Sequence, residues 1–223
     1  MIDADDTLWE NAVYFAASRQ AFGHLLGRFG HSSHHALEVL QQCEQVHLSR
    51  RLYGSRRLHI SMQEAVVFLE PQRVDELLAE LVPINAALRH HVIRFHVCVV
   101  PTLAKLATRF PLHLVTMGER SEQIDKIKRA GISQFFADID VLDDKDEETY
   151  RRLMTTYNLH PAGTWMIGNS AKKDIEPAHR CGLKTVWIPS TAYHEVEHDP
   201  PQHGPTIRLE RFNQLWDVFG ASK

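Results

Sequence analysis

The feature that most constrains this chain is an alternation in its second half, where short apolar runs take turns with amphipathic stretches. Leu112 to Thr116 is one such run; Ser121-Glu122-Gln123 then opens a helix that closes at Gly131, with Ile124 and Ile127 on one face. Ile139 to Leu142 is the next strand candidate, and Tyr150, Leu153, Met154 and Tyr157 follow at the i, i+3, i+4, i+7 spacing of a helix. Thr164 to Ile167 is a third strand. A short helix from about Asp174 to Cys181 stops at Gly182, and Thr185 to Ile188 is a fourth strand. Parallel strands need long crossovers, usually helical, so this order predicts right-handed βαβ units: an α/β fold with a Rossmann-like parallel sheet flanked by helices. In such sheets ligands bind beyond the carboxyl ends of the strands.

The first half has a different rhythm. From about Asn11 to Phe95 the apolar residues follow helical spacing, with very little strand signal. Val13, Phe15, Ala16, Phe22, Leu25 and Leu26 suit one helix. Val39, Cys43 and Val46 form a weaker stripe flanked by Glu38 and Glu44. Met62, Ala65, Val66 and Leu69 suit a third helix, and Val74, Leu77, Leu78 and Leu81 a fourth. Gly30-His31-Ser32-Ser33 and Pro71 punctuate them, and a helix around Leu103, Leu106 and Ala107 leads back to the sheet. The expected organisation is a Rossmann-like core of residues 1–14 and 96–223, with an all-helical cap of residues 15–95 inserted into it.

Composition narrows the function classes. At 223 residues, 43% hydrophobic and 24% charged, the chain can bury a core of ordinary size. A net charge of −3 gives no electrostatic case for nucleic acid or a membrane surface. The sequence contains no apolar stretch long enough to span a bilayer and no signal-peptide pattern, so a cytoplasmic protein is expected, monomeric or homodimeric. Three scattered cysteines, Cys43, Cys98 and Cys181, suit a reducing compartment. The histidine groups His31, His34, His35 and His90, His91 have no partner at a zinc-like spacing and are expected to be solvated, as are Arg50, Arg51, Arg56 and Arg57.

Placed on this frame, the polar residues converge. Asp3 and Asp5 follow the apolar start Met1-Ile2, and Thr116-Met117-Gly118 follow the Leu112 run. Lys145 lies beyond the Ile139 strand in Asp143-Asp144-Lys145-Asp146. Gly168-Asn169-Ser170-Ala171-Lys172-Lys173-Asp174 follow the Thr164 strand. Each piece has an ordinary explanation by itself: Thr7-Leu8-Trp9-Glu10 fits a capping box, Gly118 a turn, Lys145 a surface lysine, and Asn169-Ser170 a helix cap. Four such sets at the carboxyl ends of one parallel sheet would meet on one rim, which is what a catalytic site requires.

These residues resemble the haloacid dehalogenase superfamily, and more closely its phosphatase branch. Asp3-Ala4-Asp5-Asp6-Thr7 matches the first motif, Asp-x-Asp-x-Thr. Leu112-His113-Leu114-Val115-Thr116 matches the second, a strand ending in Thr or Ser. Lys145 is the candidate for the third, and Gly168-Asn169 with Asp174 for the fourth. The resemblance runs from Asp3 to Ile188, and the helical insert lies where that superfamily places its cap. It implies a Mg²⁺-dependent hydrolase of a small phosphorylated metabolite, with Asp3 as the nucleophile that forms an aspartyl-phosphate. Asp5 would protonate the leaving oxygen and later activate water. Crowded carboxylates repel one another, and a Mg²⁺ ion held by Asp3, Asp5, Asn169 and Asp174 would relieve this. Thr116, the backbone amides near Met117 and Gly118, and the Lys145 ammonium would hold the phosphate oxygens.

Two departures accompany the resemblance. Asn169 stands where the superfamily often has an Asp, bringing an amide oxygen without charge. The strand before the nucleophile has two residues, Met1 and Ile2, where strands usually have about five. Either a stunted first strand or a reading frame that begins upstream is expected. The rival activities are a metal-free 2-haloacid dehalogenase, against which Asp5 speaks, and a phosphomutase, which shares the first motif. A catalytically weakened binding module of the same fold is the rival from another class.

Overall fold

The computed structural model describes residues 1–50, 52–190 and 200–220. The chain divides into two compact units: Met1–Ala12 together with the chain from Ile93 onward, and Val13–Val92.

The first unit is built on parallel strands. β1 (His113–Met117) pairs with β2 (Asp138–Leu142), and β3 (Trp165–Gly168) pairs with β4 (Lys184–Trp187), which pairs in turn with the two-residue β5 (Ile207–Arg208). The N-terminal segment joins the two sets. Ile2 bridges Leu114 on one side and Ile167 on the other, both in parallel. Its ladder is short: Ile2 N donates to the His113 carbonyl, Val115 N to Ile2, Asp3 N to Ile167 and Ile167 N to Met1, at 2.8 to 3.0 Å. The first strand is therefore stunted, yet it is paired on both sides. Side chains along the strands alternate between two cores, as the two-residue period of a strand dictates. Ile2, Leu114 and Ile167 enter one with Val99, Leu103 and Leu106. Met1, Val115 and Met166 enter the other with Tyr150 and Leu153. A strand buried on both faces reads as an unbroken apolar run, as β1 does, whereas β2 alternates Asp138 and Asp140 with Ile139 and Val141.

Helices flank these strands. α5 (Val99–Ala107), α6 (Arg120–Ala130), α7 (Glu147–Thr156), α8 (Glu176–Arg180) and α9 (Leu215–Phe219) belong to this unit. Gly131 ends α6 in the left-handed region at φ 64°, and the Asp146 carboxylate caps α7 by accepting from Thr149 N at 2.9 Å. The stretch expected as one helix from about Asp174 is a π turn, Ala171–Ile175, leading into α8. The two residues of β5 escaped the sequence pattern because no periodicity fits so short a run.

The second unit contains four helices, α1 (Ala12–Gly27), α2 (Ser33–Ser49), α3 (Gly54–Leu69) and α4 (Val74–Arg89). Its core holds Phe22, Leu26, Leu40, Leu58, Leu77 and Leu81. Three expectations fail within it. The stripe on α2 is displaced: Val46 is exposed, while Ala36, Val39, Leu40, Glu44 and His47 are buried. Glu44 is buried because Arg19 grips both its carboxylate oxygens at 2.8 and 3.0 Å and Arg57 lies 3.4 Å away. Arg57 is thus mostly covered, unlike the exposed Arg50 and Arg56; Arg51 lies outside the described residues. His91 is buried as well, stacked on Tyr14 with ring centroids 4.0 Å apart and its Nδ1 on the Leu88 carbonyl. The neighbouring His34, His35 and His90 are exposed as expected, and His31 pairs with Glu70 at 2.8 Å. Among the described residues no helix is long and apolar enough to cross a membrane.

Candidate active site

The register of the first unit sets the site. Because Ile2 stands opposite both Leu114 and Ile167, Asp3 emerges level with Val115 of β1 and with Gly168, the end of β3. Thr116 lies near the end of β1, and Gly168 ends β3. Leu142, the last residue of β2, stands opposite Met117, so Lys145 follows on the same edge.

Asp3 is buried and its two oxygens have different surroundings. Oδ1 accepts from Lys145 Nζ at 2.5 Å. Oδ2 accepts from the Thr7 hydroxyl at 2.8 Å. Thr7 therefore serves Asp3 and does not cap a helix. The first helix starts later, at Ala12, and its leading amides, Asn11 N and Ala12 N, are taken by the Asp6 carboxylate at 2.9 to 3.1 Å. Asp6 sits at φ 60°, a left-handed conformation that Asp tolerates better than most residues.

Lys145 also donates to Asp174 Oδ1 at 2.7 Å, and Asp174 Oδ2 accepts from Ser170 N at 2.9 Å. The π turn puts Asp174 there, its amide bonded back to the Ser170 carbonyl. Gly168 makes the room: a Cβ at this position would lie 2.6 Å from the Asp174 Cβ and closer still to its carboxylate. Burial pushes the Asp3 carboxyl up to about 7, with Asp174 adding to the rise and the Lys145 ammonium pulling against it. Burial opposes the charge on Lys145, but Asp174 and Asp3 outweigh it and keep the ammonium protonated well above its ordinary range. Two buried carboxylates thus share one ammonium, a cluster short of positive charge.

At Asp3 Oδ2 a second pole forms. The Asn169 side chain lies within 3.2 Å of Asp3 Oδ2 and of the Asp5 backbone carbonyl, and 3.0 Å from the Thr7 hydroxyl. With the amide nitrogen turned inward it donates to these oxygens. With its oxygen inward, Asn169 would set an amide oxygen beside Asp3 Oδ2 and the Asp5 carbonyl, and such oxygens are the donors that a hard cation such as Mg²⁺ prefers. Among the described residues no group of three His, Cys, Asp or Glu side chains forms a metal site, so a cation here would rely on amide and carbonyl oxygens beside Asp3.

The structure redistributes three expected roles. The Asp5 carboxylate does not join Asp3. It accepts from Lys126 Nζ at 2.8 and 2.6 Å, Gln123 Nε2 at 2.9 Å and Trp9 Nε1 at 2.7 Å, leaving its backbone carbonyl as the group facing Asn169. Burial would raise the Asp5 carboxyl, but Lys126, Gln123 and Trp9 outweigh it and hold it below its ordinary value. The Gly118 amide is already committed to the Leu142 carbonyl at 3.2 Å, and the Met117 carbonyl accepts from Gln123, so this turn secures Gln123. Both Asp174 oxygens are committed to Lys145 and Ser170. Thr116 fits its expected task differently: its hydroxyl oxygen is buried with no hydrogen-bond partner among the described residues. Lys126, Gln123 and Trp9 were missed by sequence reasoning, since a lysine on an amphipathic helix gives no sign that it will be buried.

Known proteins place the chain in a family. The profile of the family described as haloacid dehalogenase-like hydrolase matches residues 23–188. The chain belongs to that family. This haloacid dehalogenase-like hydrolase is 28% identical over 126 residues to a protein of Methanopyrus kandleri named glyceraldehyde 3-phosphate phosphatase, the match covering 54% of each. It spans about half the length of the curated relatives it matches. Among solved structures, a haloacid dehalogenase-like family hydrolase from Xanthomonas campestris superposes with a TM-score of 0.79 at 26% identity, covering 99% of this chain and 93% of that one. The 2-haloacid dehalogenase of Pseudomonas syringae shares the fold at 18% identity, with a TM-score of 0.67 and coverage of 98% and 96%. So does the HAD-hydrolase YfnB of Bacillus subtilis, solved bound to magnesium, at 17% identity and a TM-score of 0.67, with coverage of 97% and 96%.

Proposed function

We propose that this hydrolase is a Mg²⁺-dependent phosphatase of a small phosphorylated metabolite, working through an aspartyl-phosphate on Asp3. The observation that carries this reading is the division of the Asp3 carboxylate between two poles. Oδ1 is on the Lys145 ammonium, and Oδ2 lies beside the Asn169 side chain, which also reaches the Asp5 carbonyl. The relative named glyceraldehyde 3-phosphate phosphatase supports a small phosphate monoester as the substrate class. The helical unit Val13–Val92 would act as the cap, supplying selective contacts.

The residues divide the chemistry among them. Asp3 attacks phosphorus, the bond to the leaving oxygen breaks, and the phosphoryl group passes to the carboxylate. Lys145, fixed by Asp174, orients Asp3 and donates to a phosphate oxygen. The Thr116 hydroxyl, which has no partner among the described residues, donates to another. Asp5, which Lys126, Gln123 and Trp9 hold as the carboxylate, takes a proton from the water that hydrolyses the intermediate and passes it to solvent, while the leaving oxygen takes its proton from solvent. Mg²⁺, held by Asp3 Oδ2, the Asp5 carbonyl and Asn169, supplies charge neutralisation on the phosphate when bound.

A phosphate-release assay across sugar phosphates, nucleotides, phosphoglycolate and glyceraldehyde 3-phosphate, with and without Mg²⁺, tests the reading. Release that needs Mg²⁺ and disappears in Asp3→Asn is expected, because the amide is a poor nucleophile. Turnover near the wild-type rate in that variant would remove Asp3 from its role. One second reading has a specific observation behind it: Asn169 brings no charge to the oxygen pole and the Asp5 carboxylate is tied to Lys126, as suits a metal-free 2-haloacid dehalogenase. Chloride release from 2-chloropropionate in the presence of a chelator would establish that reading instead, and release of neither product would favour a binding module.

A further inference from the structure

The proposed mechanism leaves three buried side chains without a task. Lys126 is 1% exposed, Gln123 3% and Trp9 0%, and all three aim polar hydrogens at the Asp5 carboxylate. Lys126 reaches both oxygens, at 2.8 and 2.6 Å, and its further contact is the Asn11 side-chain oxygen at 3.3 Å. A lysine this deeply buried has a large desolvation cost that only its ion pair offsets.

The surroundings are shaped to keep these donors in place. Gln123 donates to Asp5 and to the Met117 carbonyl, while its own Oε1 has no partner among the described residues. Gly118, at φ 140°, leaves the space: a Cβ there would lie 2.9 Å from Gln123 Nε2. Trp9 is fixed through its backbone, its carbonyl accepting from Asp6 N and its ring packed edge-on to Phe95. Asp5 thus has a rigid seat that shares no side-chain partner with Asp3. Lys126 and Gln123 lie three positions apart on α6, and so face the same way.

We infer that Lys126, supported by Gln123 and Trp9, is the positioning residue for Asp5, seating the proton-transfer carboxylate at a fixed place beside the Asp3 cluster. This rests on the phosphatase reading for what Asp5 does, but not for the pairing itself. Lys126 acts through Asp5, whose two oxygens it holds. Removing it lets the Asp5 carboxylate wander, and misplacement of a catalytic group by about 1 Å can cost on the order of a hundredfold in rate.

A double-mutant cycle with 4-nitrophenyl phosphate, on which residual turnover is measurable, tests this. Lys126→Met is expected to lower kcat at least tenfold with little change in KM. In an Asp5→Asn background the same substitution should change kcat less than twofold, since no carboxylate is left to position. Lys126→Arg, which still offers two N–H donors to both oxygens, should recover most of the loss. An equal loss in both backgrounds would make Lys126 merely structural and overturn the proposal. Thermal melts of the same four proteins read the pairing without activity: Asp5→Asn should suppress most of the destabilisation caused by Lys126→Met, and additive effects would overturn the pair. Should Lys126→Met fail to fold, Gln123→Met carries the same cycle with an expected loss of about threefold. Coupling in the melts with no phosphate release from any ester would sink the phosphatase reading and leave the pair intact. Asp3-dependent release with no coupling would do the reverse.

Discussion

Thr116 is the residue at which stability and function pull apart most clearly. Among the described residues its buried hydroxyl has no partner, so the fold bears a desolvation cost and gains no hydrogen bond in return. Thr116→Val keeps the shape and removes the orphan. We expect its melting temperature to match or exceed that of the wild type, while kcat/KM for phosphate esters falls on the order of 10²-fold, as for loss of one oxyanion donor. A variant that loses stability instead would mean the hydroxyl has an internal partner. Asn169 gives the matching test on the metal: Asn169→Asp adds an anion to the oxygen pole and should lower the Mg²⁺ concentration giving half-maximal activity. A rise would put Asn169 outside the metal's contacts. At this scale Asp3, Thr116, Lys145 and Asp174 were legible because each is tied to a strand end that the apolar runs locate. The seat of Asp5 was not, because it depends on a lysine 121 positions away, on a helix whose pattern leaves the depth of each face open.

At the scale of elements, the turn from β3 into α8 concentrates the most constraint. A tight strand end, a π turn and a helix start must together bring Asp174 under Lys145. Gly168 is where this geometry has least slack, since any side chain there meets Asp174. Gly168→Ala should destabilise the protein by about 1–3 kcal/mol, as overpacking does. It should also lower kcat, because the displaced Asp174 no longer anchors Lys145. Gly163→Ala, where a Cβ would meet nothing within 4 Å, is the control and should shift the melting temperature little. Equal behaviour of the two variants would show that the turn can relax around Asp174. Four strands could be read from the sequence: β1 is a buried apolar run, and in β2 Ile139 and Val141 alternate with Asp138 and Asp140. The buried face of α2 could not, because a hydrophobic pattern does not register a carboxylate that two arginines carry into the interior, and so Val46 was given the place that Glu44 and His47 occupy.

Over the whole molecule, the described residues form three apolar cores, one around Leu58, Leu77 and Leu81 in the helical unit and two against the strands of the first unit. Separate cores permit separate openings, since a segment's resistance to local unfolding depends on the apolar area it buries. Leu77 is fully buried, and its truncation to Ala should cost about 2–5 kcal/mol through lost burial and the cavity left behind. If the helical unit opens as a unit of its own, that loss stays within residues 13–92. Hydrogen exchange resolved by segment measures this directly. Amides of α2, α3 and α4 should exchange on the order of a hundredfold faster in Leu77→Ala, while those of β1 and β3, bonded through the Ile2 bridge, keep wild-type protection. Acceleration by the same factor in both sets would show that the two units unfold as one, and that the helical insert shares the stability of the sheet that carries Asp3.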